Sequence, residues 1–207
     1  MSNKAGKGKM TTRTLAYCAL LAALSVVFAR LIIPMPNNTT RFSIEAVPIV
    51  ISGILFGPLA GGIVGFTADL VGCLFSGYGY NPIFCIPPIL YGVAAGLFRR
   101  FICGKDGKVN IVRLLIAFLP PVALGSILYQ SAALAFVYNS KGSFITSFKF
   151  FLTTRSIQFA ITMVIDVLII FFLFRTGMFK RLGVWPPKRA IKISDEELNS
   201  LDKEKIS

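Results

Sequence analysis

The stretch AVPIVISGILFGPLAGGIVGFTADLVG, residues 46–72, carries a single charged side chain, Asp69, in two apolar runs joined by the small-residue turn Gly57 to Gly62. Runs that are apolar on every side belong to helices buried in protein or facing lipid, not to helices with one wet face. The reading is a short helical pair, about Glu45 to Phe56 and Leu59 to Phe75. Outward from it lie four longer apolar segments, about Thr14 to Ile33, Pro82 to Ile102, Ile111 to Tyr138 and Leu152 to Phe174. A bilayer crossing needs about 20 apolar residues, so the chain reads as an all-α, polytopic membrane protein of six transmembrane helices. Pro48, Pro87 and Pro88 fall inside these patterns and are expected to kink or break them. At membrane depth such breaks are tolerated only where the freed backbone is buried in protein or lines a cavity.

Composition agrees. Of 207 residues 55% are apolar and 15% charged, with a mean hydropathy of +0.71, whereas soluble domains carry roughly 25% charge. The expected division is a cytoplasmic tail over 1–10, one six-helix membrane domain over 11–180 and a second cytoplasmic tail over 181–207. The formal charge of +13 would suggest nucleic acid in a soluble protein. Here the basic residues sort by topology: seventeen fall on the side that holds both termini and five (Arg30, Arg41, Lys141, Lys149, Arg155) on the other. The positive-inside rule then puts both termini in the cytoplasm of a cell-membrane protein, and anionic lipid rather than nucleic acid answers the charge. The N-terminal MSNKAGKGKMTTR is basic like a leader, but the apolar run behind it is too long for one and is expected to remain as helix 1. The last segment, ISDEELNSLDKEK, has the spacing of a short polar helix or a disordered end.

Absences exclude whole classes. Without a histidine there is no Ser-His hydrolysis and no histidine-ligated zinc, and no GxxxxGK[ST] loop is present to hydrolyse ATP. Cys18, Cys73, Cys85 and Cys103 lack CxxC spacing and read as small buried hydrophobes. We therefore expect no enzyme, no metal and no cofactor. Uphill movement of a solute would need a partner's energy.

Candidate binding residues cluster at the side away from the termini. Arg30, Arg41, Glu45 and Arg155 oppose the positive-inside trend, and beside them fall Tyr78, Tyr80 and Asn81 of the loop before Pro82, with Phe84, Tyr91, Tyr129, Gln130 and Gln158. Guanidinium forks suit carboxylates, aromatic faces suit a planar ring, and amide or carboxylate groups read its polar edge. Interhelical ion pairing, such as Arg41 with Glu45, is the structural alternative for the charges, and an interfacial aromatic belt for the tyrosines. Asp69 and Asp166 are acids inside membrane segments, hence functional candidates by default; an arginine partner or a broken-helix cap is the structural alternative, and proton coupling ranks below both because no second acid lies within helical reach. In helix 1, Ala19 and Ala23 share a face with Ala16 beside them, so another helix could approach closely, within the protein or from a partner.

TTRTLAYCALLAALSVVFARL, the block PIVISGILFGPLAGGIVGFTADLVG and the Gly/Tyr/Pro loop leading into ILYGVAAGLF together resemble the substrate-binding S components of energy-coupling-factor (ECF) vitamin transporters, and among them most the folate family, over about residues 11–180. The resemblance implies six helices, cytoplasmic ends and a vitamin pocket opening outward, folate being the leading ligand. It also implies that Ala19 and Ala23 match an AxxxA motif that docks on a transmembrane coupling subunit driven by two ATPases, and that Arg30, Asp69 and the Tyr78 to Asn81 loop fall in pocket-forming regions. An S component for riboflavin, thiamine or pantothenate, a self-sufficient secondary carrier, and a membrane enzyme or scaffold are the competing readings.

Overall fold

A computed structural model describes residues 12–30, 33–34, 41–42, 44–75, 81–104, 109–137 and 144–184. Its helices are α1 (Thr12–Phe28), α2 (Ala46–Phe56), α3 (Pro58–Leu74), α4 (Ile86–Leu97), α5 (Arg99–Cys103), α6 (Ile111–Pro121), α7 (Gln130–Val137), α8 (Phe144–Arg175) and α9 (Met178–Arg181). A 3-10 turn, Pro82–Cys85, leads into α4, and a π-helical stretch, Val122–Tyr129, joins α6 to α7. The exception to an all-α fold is a two-residue antiparallel pairing, Ile33 opposite Phe42 and Pro34 opposite Arg41.

The six expected segments are all present, with shifted limits. α1 ends at Phe28 rather than near Ile33, and α8 starts at Phe144, a full two turns before Leu152. Lys149 and Arg155 interrupt the apolar run there without interrupting the helix, because straight-chain cations keep good helix propensity. The expected break at Pro48 is absent: it sits at the third position of α2, in the first turn, where a missing N–H costs nothing. Pro87 and Pro88 likewise occupy the first turn of α4, and the irregularity lies just before them in the 3-10 turn. Pro120 and Pro121 remove donors from the end of α6, and the ladder resumes with the wider π spacing. The Arg99 to Cys103 end of the fourth segment is a separate short helix after a break at Phe98.

Glycine decides how the elements meet. Gly57 turns α2 back into α3 at φ 103°, a conformation that L side chains avoid. Beyond it, α3 and α4 run antiparallel with backbone against backbone. A Cβ on Gly96 would strike Pro58, one on Gly61 or Gly92 would strike the backbone of the other, and one on Gly65 would strike the carbonyl of Pro88. Gly53 of α2 closes on Gly92 and Gly96 from the other side. Three helices thus share one seam of small residues, the close-approach geometry that membrane helices use in place of hydrophobic sorting. α1 packs on α2 and α3, while α6 and the π stretch bridge α4 to α8.

Large side chains face outward. Leu20, Leu59, Leu74, Phe136 and Phe172 are all more than 60% exposed, and apolar exposure spread around the whole bundle marks a surface solvated by lipid. Residues 111–137 and α8 are each long and apolar enough to cross a bilayer. The 11 residues of α2 span only about 16 Å, half the hydrocarbon thickness. Its start lies inside the bundle, where Ser25 Oγ of α1 donates to the Glu45 carbonyl at 2.7 Å.

The seam yields a direct test. Gly61→Leu or Gly92→Leu is expected to abolish the monodisperse peak in detergent size exclusion, whereas Gly72→Ala, whose added methyl meets nothing within 4 Å, leaves peak and melting midpoint within error of the parent.

Candidate substrate-binding site

α2 starts low and leaves a space above it among the described residues. A cavity of about 620 Å³ occupies it, floored by Glu45, Ala46 and Ile49 and walled by Asp69 of α3, Phe84 and Tyr91 around the start of α4, Ser126 of the π stretch, Gln130 of α7 and one face of α8. That face is a stripe at helical spacing: Phe151, Arg155, Gln158 with Phe159, Thr162 with Met163, and Asp166. A recess of about 180 Å³ adjoins it between α1 and α3 and shares Glu45, Ile49 and Asp69 with it.

Arg155 is the cation of the main chamber. Its guanidinium carbon stands 5.7 Å from the Phe159 ring centre, within cation–π range, and among the described residues no carboxylate pairs with it. The aromatic wall is ordered by the stacked Tyr91 and Phe118 rings, 6.4 Å apart with 18° between planes. The Tyr91 hydroxyl is held in a hydrogen bond with Ser126 Oγ. Thr162 spends its hydroxyl on the Gln158 carbonyl at 3.0 Å. Two acids are less satisfied: Asp69 takes a hydrogen bond from Cys85, but its Oδ2, like Oδ1 of Asp166, is buried without a partner among the described residues.

Of the residues singled out from sequence, the fold brings Glu45, Asp69, Phe84, Tyr91, Gln130, Arg155 and Gln158 together in this chamber. Arg30 sits in the adjoining recess and donates to the Gly72 carbonyl at 3.0 Å, tying α1 to the end of α3. Asn81 caps the 3-10 turn by accepting from the Ile83 N–H at 3.1 Å. Tyr129 is half-buried and is not part of the chamber lining. Tyr78, Tyr80 and the Arg41 side chain lie outside the described residues. Sequence reasoning left out Ser126, Thr162, Phe159 and Met163 and kept Asp166 apart from the site. The four-residue stripe running on from Arg155 was the signal that reaches the α8 members, and the paired prolines ahead of the π stretch were the one that reaches Ser126.

The family model for the S component of ECF-type riboflavin transporters matches residues 9–176. The chain belongs to the S-component family of ECF transporters. That family is one of transporter subunits, not of enzymes. The chain is 32% identical over 102 residues to the folate transporter FolT of Clostridium novyi (strain NT), covering 49% of this chain and 56% of that one. It is 30% identical over 108 residues to a UPF0397 protein of Streptococcus pneumoniae (strain CGSP14), covering 52% and 59%. The chain thus spans a little over half the length of these relatives. A crystal structure of FolT bound with folic acid superposes with a TM-score of 0.62 at 26% identity, over 78% of this chain and 91% of that one. A second structure, of the S component of a bacterial ECF transporter, shares the fold at a TM-score of 0.51 and 21% identity, over 84% and 97%.

In this S component, Ser126→Ala is expected to lower stability by about 1 kcal/mol, the net worth of one hydrogen bond. A melting midpoint in detergent without added ligand reads it, and Tyr91→Phe in the same background should add little further, since the two groups act on each other.

Proposed function

We propose that this S component captures folate or a close relative from outside the cell in the 620 Å³ chamber and delivers it to an ECF module for ATP-driven uptake. The observation that carries the reading is the chamber's polarity: the guanidinium of Arg155, with no carboxylate partner among the described residues, beside an aromatic wall of Phe84, Tyr91, Phe118 and Phe159 in a lipid-embedded bundle. An anionic tail on a flat ring system complements that lining. Folate enters through the likeness to FolT of Clostridium novyi and to FolT bound with folic acid. Riboflavin is the second reading, because the matching family model bears that vitamin's name.

Orientation and partners belong to the same proposal. Arg13, Arg99, Arg113 and Arg175 mark one end of the bundle, at the start of α1, the break after α4, the start of α6 and the end of α8. This basic end faces the cytoplasm under the positive-inside rule, and the chamber lies toward the opposite end. A transmembrane coupling subunit with two ATPases would supply the energy. Ala16, Ala19 and Ala23 are all exposed along α1, a surface of small residues open to close approach by a partner helix.

Titration of the purified protein with folate, riboflavin, thiamine, pantothenate and biotin tests the ligand. Nanomolar folate binding with no riboflavin binding is expected; the reverse would give the site to the flavin. Arg155→Ala should weaken folate binding roughly 10- to 100-fold, the range for losing a charged hydrogen-bonded partner, with unchanged size-exclusion behaviour. Replacing Ala19 and Ala23 by tryptophan should leave binding intact and abolish uptake in cells that express an ECF module. Normal uptake by that variant would remove the docking assignment.

A further inference from the structure

Among the described residues the chamber carries more acid than base: Glu45, Asp69 and Asp166 line it against the guanidinium of Arg155, a balance that a ligand recognised only through its carboxylates would not require. Asp166 is the most enclosed of the three, 4% exposed, with Oδ1 buried and unpartnered among the described residues. It lies 11 positions beyond Arg155 on α8, three turns further and within about 20° of the same face, hence roughly 16 Å deeper along the helix. A buried carboxyl oxygen with no donor is expensive to keep, and a donor brought by a ligand on the chamber wall would satisfy it. Nearby side chains do not supply one: Thr162, a turn above, gives its proton to the Gln158 carbonyl, and the Tyr91 hydroxyl is engaged with Ser126.

We propose that Asp166 is a specificity-determining residue that binds the donor edge of a heteroaromatic ring, an exocyclic amino group adjacent to a ring N–H, while Arg155 holds the anionic end nearer the mouth. This deepens the vitamin-binding reading and rests on it. The N–C–N donor pair matches a carboxylate as a guanidinium does, two parallel hydrogen bonds in one plane. Tyr91 and Phe118, stacked on each other, line the chamber as part of its aromatic wall. Asp69, whose Oδ2 is also without a donor, is available on the α3 wall to a second amino or ring N–H group. A 2-amino-4-oxopyrimidine ring carries such an edge. An isoalloxazine ring does not, since its one imide N–H is flanked by two carbonyls that would confront the carboxylate.

The test is competition against labelled folate by two ligands that differ at one group, pterin-6-carboxylate and lumazine-6-carboxylate, the second having a carbonyl where the first has the amino group. The parent protein is expected to prefer the pterin at least roughly 10-fold, the effect of one hydrogen bond to a charged group. Asp166→Asn is expected to erase that preference while Arg155→Ala weakens both ligands alike. Folate binding with equal competition by the two analogues overturns the assignment and leaves the vitamin reading standing, as does an Asp166→Asn protein that keeps the preference. If Asp166→Asn does not fold, the parent's discrimination still decides, equal affinities refuting it. Binding of neither folate nor either analogue overturns both proposals.

Discussion

Everything in this fold depends on how closely α3 can approach α4. Rungs follow each other one turn at a time, Pro58 against Gly96, Gly61 against Gly92, Gly65 against Pro88. At each, the absence of a Cβ lets backbone touch backbone. In lipid the association of helices gains nothing from apolar burial as such, so dense packing at such seams has to supply it. The next rung is Cys85 against Asp69, where the thiol meets the carboxyl group. The seam therefore ends by delivering an acid to the wall of the chamber, at a height fixed by the glycines below it.

The chamber is a consequence of length. α2 fills only the lower half of the bundle, with Gly53 locked onto α4 and Glu45 tethered to Ser25 of α1. Above it, α8 continues upward and contributes a polar stripe to the vacated space. Backbone irregularities gather around the same space: the 3-10 turn before α4 and the π stretch between α6 and α7 both border it. This accords with the rule that irregular backbone at membrane depth is kept where protein or a cavity can satisfy it.

Much of this was legible in the residues. The apolar runs placed all six segments, and the resemblance carried jointly by helix 1, residues 46–72 and the loop leading into ILYGVAAGLF named the S-component family that the comparisons bear out. Helix limits were less legible. Lys149 looked like loop because charge interrupts hydropathy, yet it sits within α8; Pro48 looked like a break because its first-turn position is invisible until the start of α2 is known. In the candidate site, Arg155 and Gln158 stood out as polar residues in an apolar run. Ser126 and Thr162 did not, since small hydroxyls in membrane helices most often bond to their own backbone, as Thr162 does. Arg30 carried the same sequence signal as Arg155, and only the fold separates a guanidinium that ties two helices together from one that lies over the Phe159 ring in a chamber.

The central claim is that this polypeptide by itself, with no coupling subunit present, holds one vitamin molecule inside the membrane. Native mass spectrometry of the chain purified alone from cells grown with folate measures that directly. The account predicts a one-to-one adduct of folate mass that survives removal of detergent in the gas phase. A bare chain under every vitamin supplied would contradict it, as would an adduct formed only when a second protein is bound.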